Sequence, residues 1–390
     1  MTCGRKSKIV NHKSRINSSP TPIHRGNNIQ FKTMKNILLI ILLISNYSIS
    51  VAQDVDLTSV DEFFKVTSTL KAGKEISQKQ WEQFDSSSAY AIFTQNKNKK
   101  IIHVIKSSIQ KVFGNKVTNE EIPNDKTSLL EKLVLTNYQD INNNYLSIKS
   151  FRDNYDFNTL LMKAKQRLNS FLCCDTLDSS IKWKPVYFFF LSADGKDMDN
   201  ALFIDFNLIY KLTEQQRIDF LAHEFFHNYR THFENHEFNY ANDINFMLDM
   251  IQNEGIADQI DKYMGYKKYF SDVLTSPEET EIFTTLYNNA ENDIKQLQTI
   301  IVQYSKKRID KKLCIDKLLE IYKYNGHAIG FYMSNQIIKA GYKKEMVKSF
   351  YNPYKFYQLY NLAACKNKTV MLNDDFMIFL KNITQGYYPQ

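Results

Sequence analysis

Apolar and polar positions along this chain follow two different periods, and the places where one gives way to the other outline its organisation. From residue 54 to about 172, stretches such as "SVDEFFKVTSTLKAG" and "DFNTLLMKAKQRLNSFL" set Val, Phe and Leu three or four apart. That is the spacing of helices with one buried face. Polar connectors, "TQNKNKK" and "NEEIPNDKTS", separate them. After Cys174 the texture changes. "KPVYFFFLSADG" is a short aromatic run ending at a Gly turn and predicts a strand. "NALFIDFNLIYKL" sets Leu202, Ile204, Phe206 and Leu208 against Phe203, Asp205, Asn207 and Ile209. This period of two predicts a strand with one buried face. Helical spacing returns in "TEQQRIDFLAHEFFHNYRTHF", with Thr213 as the expected N-cap, and in "NDINFMLDMIQNEGIADQIDKYMGY". It then dominates to the C-terminus, through "GHAIGFYMSNQIIKAG" and "NDDFMIFLKNI". No internal repeat is visible. The expected fold class is α+β, predominantly α-helical, with an N-terminal helical region over 53–180 and a second region over 181–390.

Composition fits that picture. The 390 residues include 27 Phe and 24 Tyr but only 11 Gly and 7 Pro, which favours a packed core over collagen-like or disordered classes. The net charge of +8 invites a nucleic-acid partner, but its location removes the invitation. Residues 1–52 hold eight cations and no Asp or Glu, and without them 42 Lys+Arg face 42 Asp+Glu. The remaining chain is neutral and offers no phosphate-binding field.

That basic segment has its own reading. From Met34, "MKNILLIILLISNYSISVAQ" orders a lysine, an apolar run from Ile37 to Ile44 and the small residues before Gln53. This is the layout of a secretory signal over 34–52 with cleavage after Ala52, and the run is too short to span a bilayer. Residues 1–33 read as an upstream extension. The expectation is an exported chain with no stable membrane span. Export leads to an oxidising compartment, where Cys173, Cys174, Cys314 and Cys365 allow three two-bridge pairings.

The candidate chemistry lies in "FLAHEFFHNYRTHFENHE", which holds four of the eight histidines. His223, Glu224 and His227 form H-E-x-x-H. On a helix the two histidines share one face and can reach one tetrahedral ion. Glu224, rotated about the axis, can instead reach a water as general base. A catalytic zinc site needs a third protein ligand and an open position. His232 and His236 are candidates, although Arg230 and Phe233 stand where a metzincin pattern wants Gly and His. The third candidate is Glu254, a carboxylate in an otherwise apolar helix, where leaving it unpaired would be costly. Asp258, one turn later, is placed to accept an N–H from a ligating imidazole. His103 stands alone in an amphipathic helix and reads as a packing or surface residue.

H-E-x-x-H followed on a second helix by N-E-x-x-x-D resembles the gluzincins, the thermolysin-like zinc metallopeptidases. The resemblance is specific from Leu221 to Ile260. It implies a zincin-like catalytic region with a short antiparallel sheet, Zn²⁺ held by His223, His227 and Glu254, Glu224 as the base, and Asp258 supporting His223. Asn253 matches the Asn before the family's ligand Glu. The family also implies that "ALFIDFNLIY" is an edge strand pairing with extended peptide. A later His or Tyr would steady the oxyanion, with His327 first and Tyr324 second. "LKAGKEISQKQWEQFDSSSAYAIF" and "NGHAIGFYMS" resemble more loosely a group of exported bacterial zinc-dependent peptidases. From thermolysin itself the chain departs in its helical N-terminal half, its longer gap from His227 to Glu254 and its lack of a calcium-site pattern. The rival expectation is a catalytically silent helical binding protein, with no metal or with a structural zinc closed by His232 or His236.

Overall fold

The computed structural model describes residues 55–95, 99–114, 129–172, 177–178, 180–192, 194–198, 200–234, 242–273 and 277–387. Ala52–Gln390 forms one compact unit. The expected extension and signal (1–52), Cys173, Cys174 and His236 lie outside the described residues.

Strand β1 (Val55–Asp56) opens this unit. Seven helices follow: α1 (Thr58–Lys71), α2 (Gln78–Ser86), α3 (Ser88–Gln95), α4 (Lys99–Phe113), α5 (Leu129–Asn143), α6 (Tyr145–Asn154) and α7 (Phe157–Leu172). Three strands come next, β2 (Val186–Phe189), β3 (Gly195–Met198) and β4 (Ala201–Asp205). The chain then runs through α8 (Phe206–Lys211), α9 (Glu214–Phe233), α10 (Asp243–Asp261), α11 (Tyr266–Val273) and α12 (Pro277–Ser305). It ends with α13 (Lys311–Ile321), α14 (His327–Lys339), α15 (Lys343–Lys348), α16 (Pro353–Asn367) and α17 (Asp374–Thr384). The fold is α+β and mainly helical.

The strands form one sheet in the order β1-β2-β4-β3. β1 and β4 run parallel to β2, and only β3 pairs antiparallel, Met198 facing Ala201. The sheet is therefore mixed, where an antiparallel one was expected. The predicted strand past residue 201 is also shorter than its pattern. Asp205 stops it: one carboxylate oxygen accepts from the Leu208 backbone N–H at 3.0 Å and caps α8. The other oxygen accepts from the Leu191 N–H at 2.7 Å and from the Asn137 amide at 2.9 Å. All five β4 residues are buried, on both faces. β4 is thus an interior strand, and β1 and β3 are the edge strands among the described residues.

Helices and sheet share one core. The Phe63 ring of α1 meets Phe190 at 4.4 Å and Tyr138 of α5 at 5.2 Å. The buried hydroxyls of Tyr90 and Tyr138 both donate to the Phe190 carbonyl, each at 3.0 Å. These bonds tie the N-terminal helices to the end of β2, and the buried cluster continues without a break from Val60 to Leu380. Among the described residues, Cys314 is buried and Cys365 exposed, both as free thiols.

Two contacts decide where the central helices lie. Arg230, fully buried on α9, pairs with Asp249 of α10 at 2.5 Å and with Glu234, and its Nε donates to the Phe350 carbonyl at 3.2 Å. α10 crosses α14 at two glycines. A Cβ on Gly330 would stand 2.1 Å from the Ile251 carbonyl oxygen, and one on Gly255 would stand 2.4 Å from Gly330 backbone. Only residues without side chains allow this approach. Ser334 of α14 adds a hydrogen bond to the Gly255 carbonyl at 2.6 Å.

Candidate metal centre

Helix α9 opens on a capping box. Thr213 Oγ1 accepts from the Gln216 N–H, and the Gln216 side chain accepts from the Thr213 N–H at 2.9 Å. Ten residues on, His223, Glu224 and His227 are drawn into the interior, with the two imidazole rings 4.8 Å apart. α10 lies against this face and buries nearly every residue from Ile251 to Asp261, Asn253, Glu254, Asp258 and Asp261 among them. His327 is the first residue of α14, and Tyr324, Asn325 and Gly326 before it all have positive φ (49°, 55° and 79°). Non-glycine residues in that region carry strain, a feature concentrated at functional sites.

The three imidazoles turn the same way. Each Nδ1 faces an oxygen outside the cluster: Asp261 Oδ1 for His223, Asn253 Oδ1 for His227 and Asp258 Oδ1 for His327, each at 3.0 Å. Each Nδ1 therefore carries a proton, and each Nε2 points inward. All three Nε2 atoms converge on one atom, Glu254 Oε2, at 3.6 Å for His223, 3.4 Å for His227 and 3.3 Å for His327. That oxygen is buried and has no hydrogen-bond partner. An orphan carboxylate oxygen among inward-facing ring nitrogens is a costly arrangement unless a cation lies between them.

The donor set fits zinc. About 3.4 Å separates neighbouring ligand atoms around a tetrahedral ion with bonds of about 2.0–2.1 Å. His223, His227 and Glu254 offer donor atoms all within 4.8 Å of one another, whereas His327 falls in a separate set with Glu254 and Asp258. The first set supplies three donors, with His327 Nε2 beside it, 3.3 Å from Glu254 Oε2.

The electrostatics also favour positive charge at the centre. Burial works against a charged His223, but Asp261 and Glu254 overcome it and push its pKa up to about 10. His227 is raised as well: burial opposes its charge and Glu254 outweighs burial. Burial penalises the Glu254 carboxylate, yet the histidine charges hold it well below the usual range. Glu224 goes the other way, raised by burial, with the nearby imidazoles pulling against it. It backs onto an edge strand, since a Cβ on Gly195 of β3 would lie 2.8 Å from Glu224 Oε1.

The expected residues come together, with one exchange of partners. Asp258, expected to orient His223, lies 3.8 Å from that ring's Nδ1 and holds His327 instead. Asp261, which sequence reasoning missed, accepts the hydrogen bond from His223 Nδ1. A signal for it was present, because Glu254, Asp258 and Asp261 are spaced four and three apart along one helix face. Lys262 and Tyr266, which contact the two aspartates, were also missed. His232 is surface-side, its Nε2 3.3 Å from Ser180 Oγ. Tyr324 is half-exposed and packs on Phe283 at 4.7 Å.

A family model described as "Putative zinc dependent peptidase (DUF5700)" matches residues 81–369, a span containing α9, α10 and His327. The chain belongs to that family. Its description names zinc dependence and the peptidase class. No curated protein and no solved structure matches the chain.

Proposed function

We propose that the chain is an exported zinc metallopeptidase of the gluzincin kind, with His223, His227 and Glu254 as metal ligands. The observation that carries this reading is the orphaned Glu254 Oε2 with three imidazole Nε2 atoms at 3.3–3.6 Å. The family's description and the layout of residues 34–52 support the peptidase class and the export, respectively.

Bound there, Zn²⁺ supplies a Lewis acid for the scissile carbonyl and brings the pKa of a water to about 7. Glu224, buried beside the cluster, takes a proton from the attacking water and passes it to the leaving amine. Its raised pKa suits both halves of that transfer. His327, fixed through Nδ1 by Asp258, presents Nε2 to the cluster, 3.3 Å from Glu254 Oε2, and steadies the oxyanion there. Asn253 and Asp261 hold the ligand imidazoles in the inward orientation. Extended substrate adds to the free edge of β3, next to Gly195 and Glu224.

The test is a zinc-loaded Glu224→Gln variant assayed on casein. One zinc per chain should remain while turnover falls by about 10²–10⁴-fold. Wild-type turnover in that variant removes Glu224 as base. Wild-type protein free of stoichiometric zinc removes the reading altogether. A catalytically silent chain with a structural zinc would instead keep the metal and cleave nothing in either form.

A further inference from the structure

Lys262 follows Asp261, just past the end of α10, and its ammonium is buried. It lies 2.8 Å from Asp258 Oδ1 and 2.8 Å from Asp261 Oδ2, and 4.8 Å from the centre of the Tyr269 ring. Each of these carboxylates holds one histidine of the cluster. Asp261 keeps its Oδ1 for His223 Nδ1 and gives Oδ2 to the lysine. Asp258 takes His327 Nδ1 at 3.0 and 3.1 Å on its two oxygens, and Tyr266 donates its hydroxyl to Oδ2. One cation thus bridges the acid behind a candidate metal ligand and the acid behind the candidate oxyanion residue.

Resting on the peptidase reading above, we propose that Lys262 is a positioning residue that fixes His223 and His327 together by clamping Asp261 and Asp258. The two aspartates are one turn apart on α10, both buried, and like-charged. Without a cation between them they repel and turn apart, and each carries its imidazole with it. A buried ammonium is itself expensive, so it persists only where the ion pairs are good; here burial opposes the charge, yet Asp258 and Asp261 hold the Lys262 pKa well above its ordinary value. The Tyr269 face adds a cation–π contact to the same nitrogen. Removing the clamp has two separable consequences. Loosening Asp261 weakens metal binding through His223, and loosening Asp258 weakens transition-state stabilisation through His327.

The experiment measures the zinc dissociation constant, by competition with a chromophoric chelator, and kcat and KM on zinc-saturated protein. The chains compared are wild type, Lys262→Met, Asp261→Asn, His327→Ala and the doubles Lys262→Met/Asp261→Asn and Lys262→Met/His327→Ala. Lys262→Met should weaken zinc binding about 10–100-fold, as loss of an outer-shell partner does. The double with Asp261→Asn should be no weaker than the single variants, because both changes act through one imidazole. Zinc-saturated Lys262→Met should also lose kcat with little change in KM, and that loss should vanish in the His327→Ala background. Unchanged affinity and kcat in folded Lys262→Met overturns the role, and so does full additivity in both doubles. If Lys262→Met does not fold, Lys262→Gln takes its place. Should neither give a native circular dichroism spectrum, the lysine is a folding element and the inference fails. Wild type that binds zinc and cleaves casein beside an unaffected variant removes only Lys262's role. Wild type that does neither removes the peptidase reading with it.

Discussion

Gly330→Ala tests whether His327 depends on the crossing of α10 and α14. The new Cβ would sit 2.1 Å from the Ile251 carbonyl oxygen and 2.8 Å from both N and Cα of Gly255, all backbone atoms that cannot rotate away. An ordinary C···O contact is about 3.3 Å, so the helices must part locally by ~1.2 Å. His327 lies one turn earlier on the same helix, 3.0 Å from Asp258 and 3.3 Å from Glu254. A shift of that size stretches its hydrogen bond beyond useful length. Overpacking of this kind costs about 1–3 kcal/mol, and the better helix propensity of Ala returns about 1 kcal/mol, for a net loss of up to about 2 kcal/mol. Misplacing a catalytic group by about 1 Å can cost on the order of 10²-fold in rate. The three proposed ligands sit on α9 and α10, so zinc stoichiometry should be untouched. Urea unfolding, metal analysis and casein cleavage on the same preparation measure all three quantities. A folded variant with wild-type kcat refutes the dependence, and one that loses zinc along with activity refutes the division of labour between the helices.

Two further outcomes follow from charges buried away from the metal. Arg230→Met leaves Asp249 buried without its guanidinium and should cost about 3–5 kcal/mol in urea unfolding. Adding Asp249→Leu should restore most of that, and a loss under about 1 kcal/mol would contradict this account. Lys165 lies over the Trp183 ring at 4.9 Å, and burial pushes its pKa down to about 8. Its folded-state value is thus below the unfolded one, about 10.4. The charged form therefore costs stability below about pH 8, and the cost disappears as the pH rises from there toward the unfolded value, with the Trp183 face softening it. Wild type should gain stability over that range relative to Lys165→Met, and a pH-independent difference between the two would refute the assignment.

How much of this could be read from the chain depends on what each feature needs. The capping box at Thr213 and the helical spacing of α9 and α10 are local, and local chemistry is written in the sequence. The β4–α8 junction is local as well, yet the pattern hides it, because alternation of apolar residues continues through Phe206 and Leu208 after the strand has ended. A strand with one buried face would leave Asp205 and Asn207 on its other side. Both are buried, Asp205 as a cap and Asn207 donating its amide to the Asn137 side chain at 2.8 Å. A period of two does not distinguish a half-exposed strand from a strand that turns into a buried helix. The sheet's strand order was not legible for a related reason: β4 enters between β2 and β3, a pairing among segments whose apolar patterns are alike.

The site shows the same division more sharply. His223 and His227 face one way because an α-helix places i and i+4 on one side, so their convergence needs nothing beyond α9. Glu254 reaches them because α10 lays that face against α9, where Asn253, Asp258 and Asp261 are buried with it. Asp258 is different. One turn from Glu254, it has two imidazoles within reach, at 3.8 Å and 3.0 Å, and spacing along α10 cannot say which it holds. The choice is made by α14, which comes close enough to deliver His327 only because positions 255 and 330 both lack a side chain. Seventy-five residues separate those glycines, and neither looks special until the helices cross. Once they do, Asp258 is taken by His327, His223 passes to Asp261, and Lys262 falls between the two acids. The proposed ligand set is thus a property of two helices, while the groups that aim it are a property of three, and only the first is written as a motif.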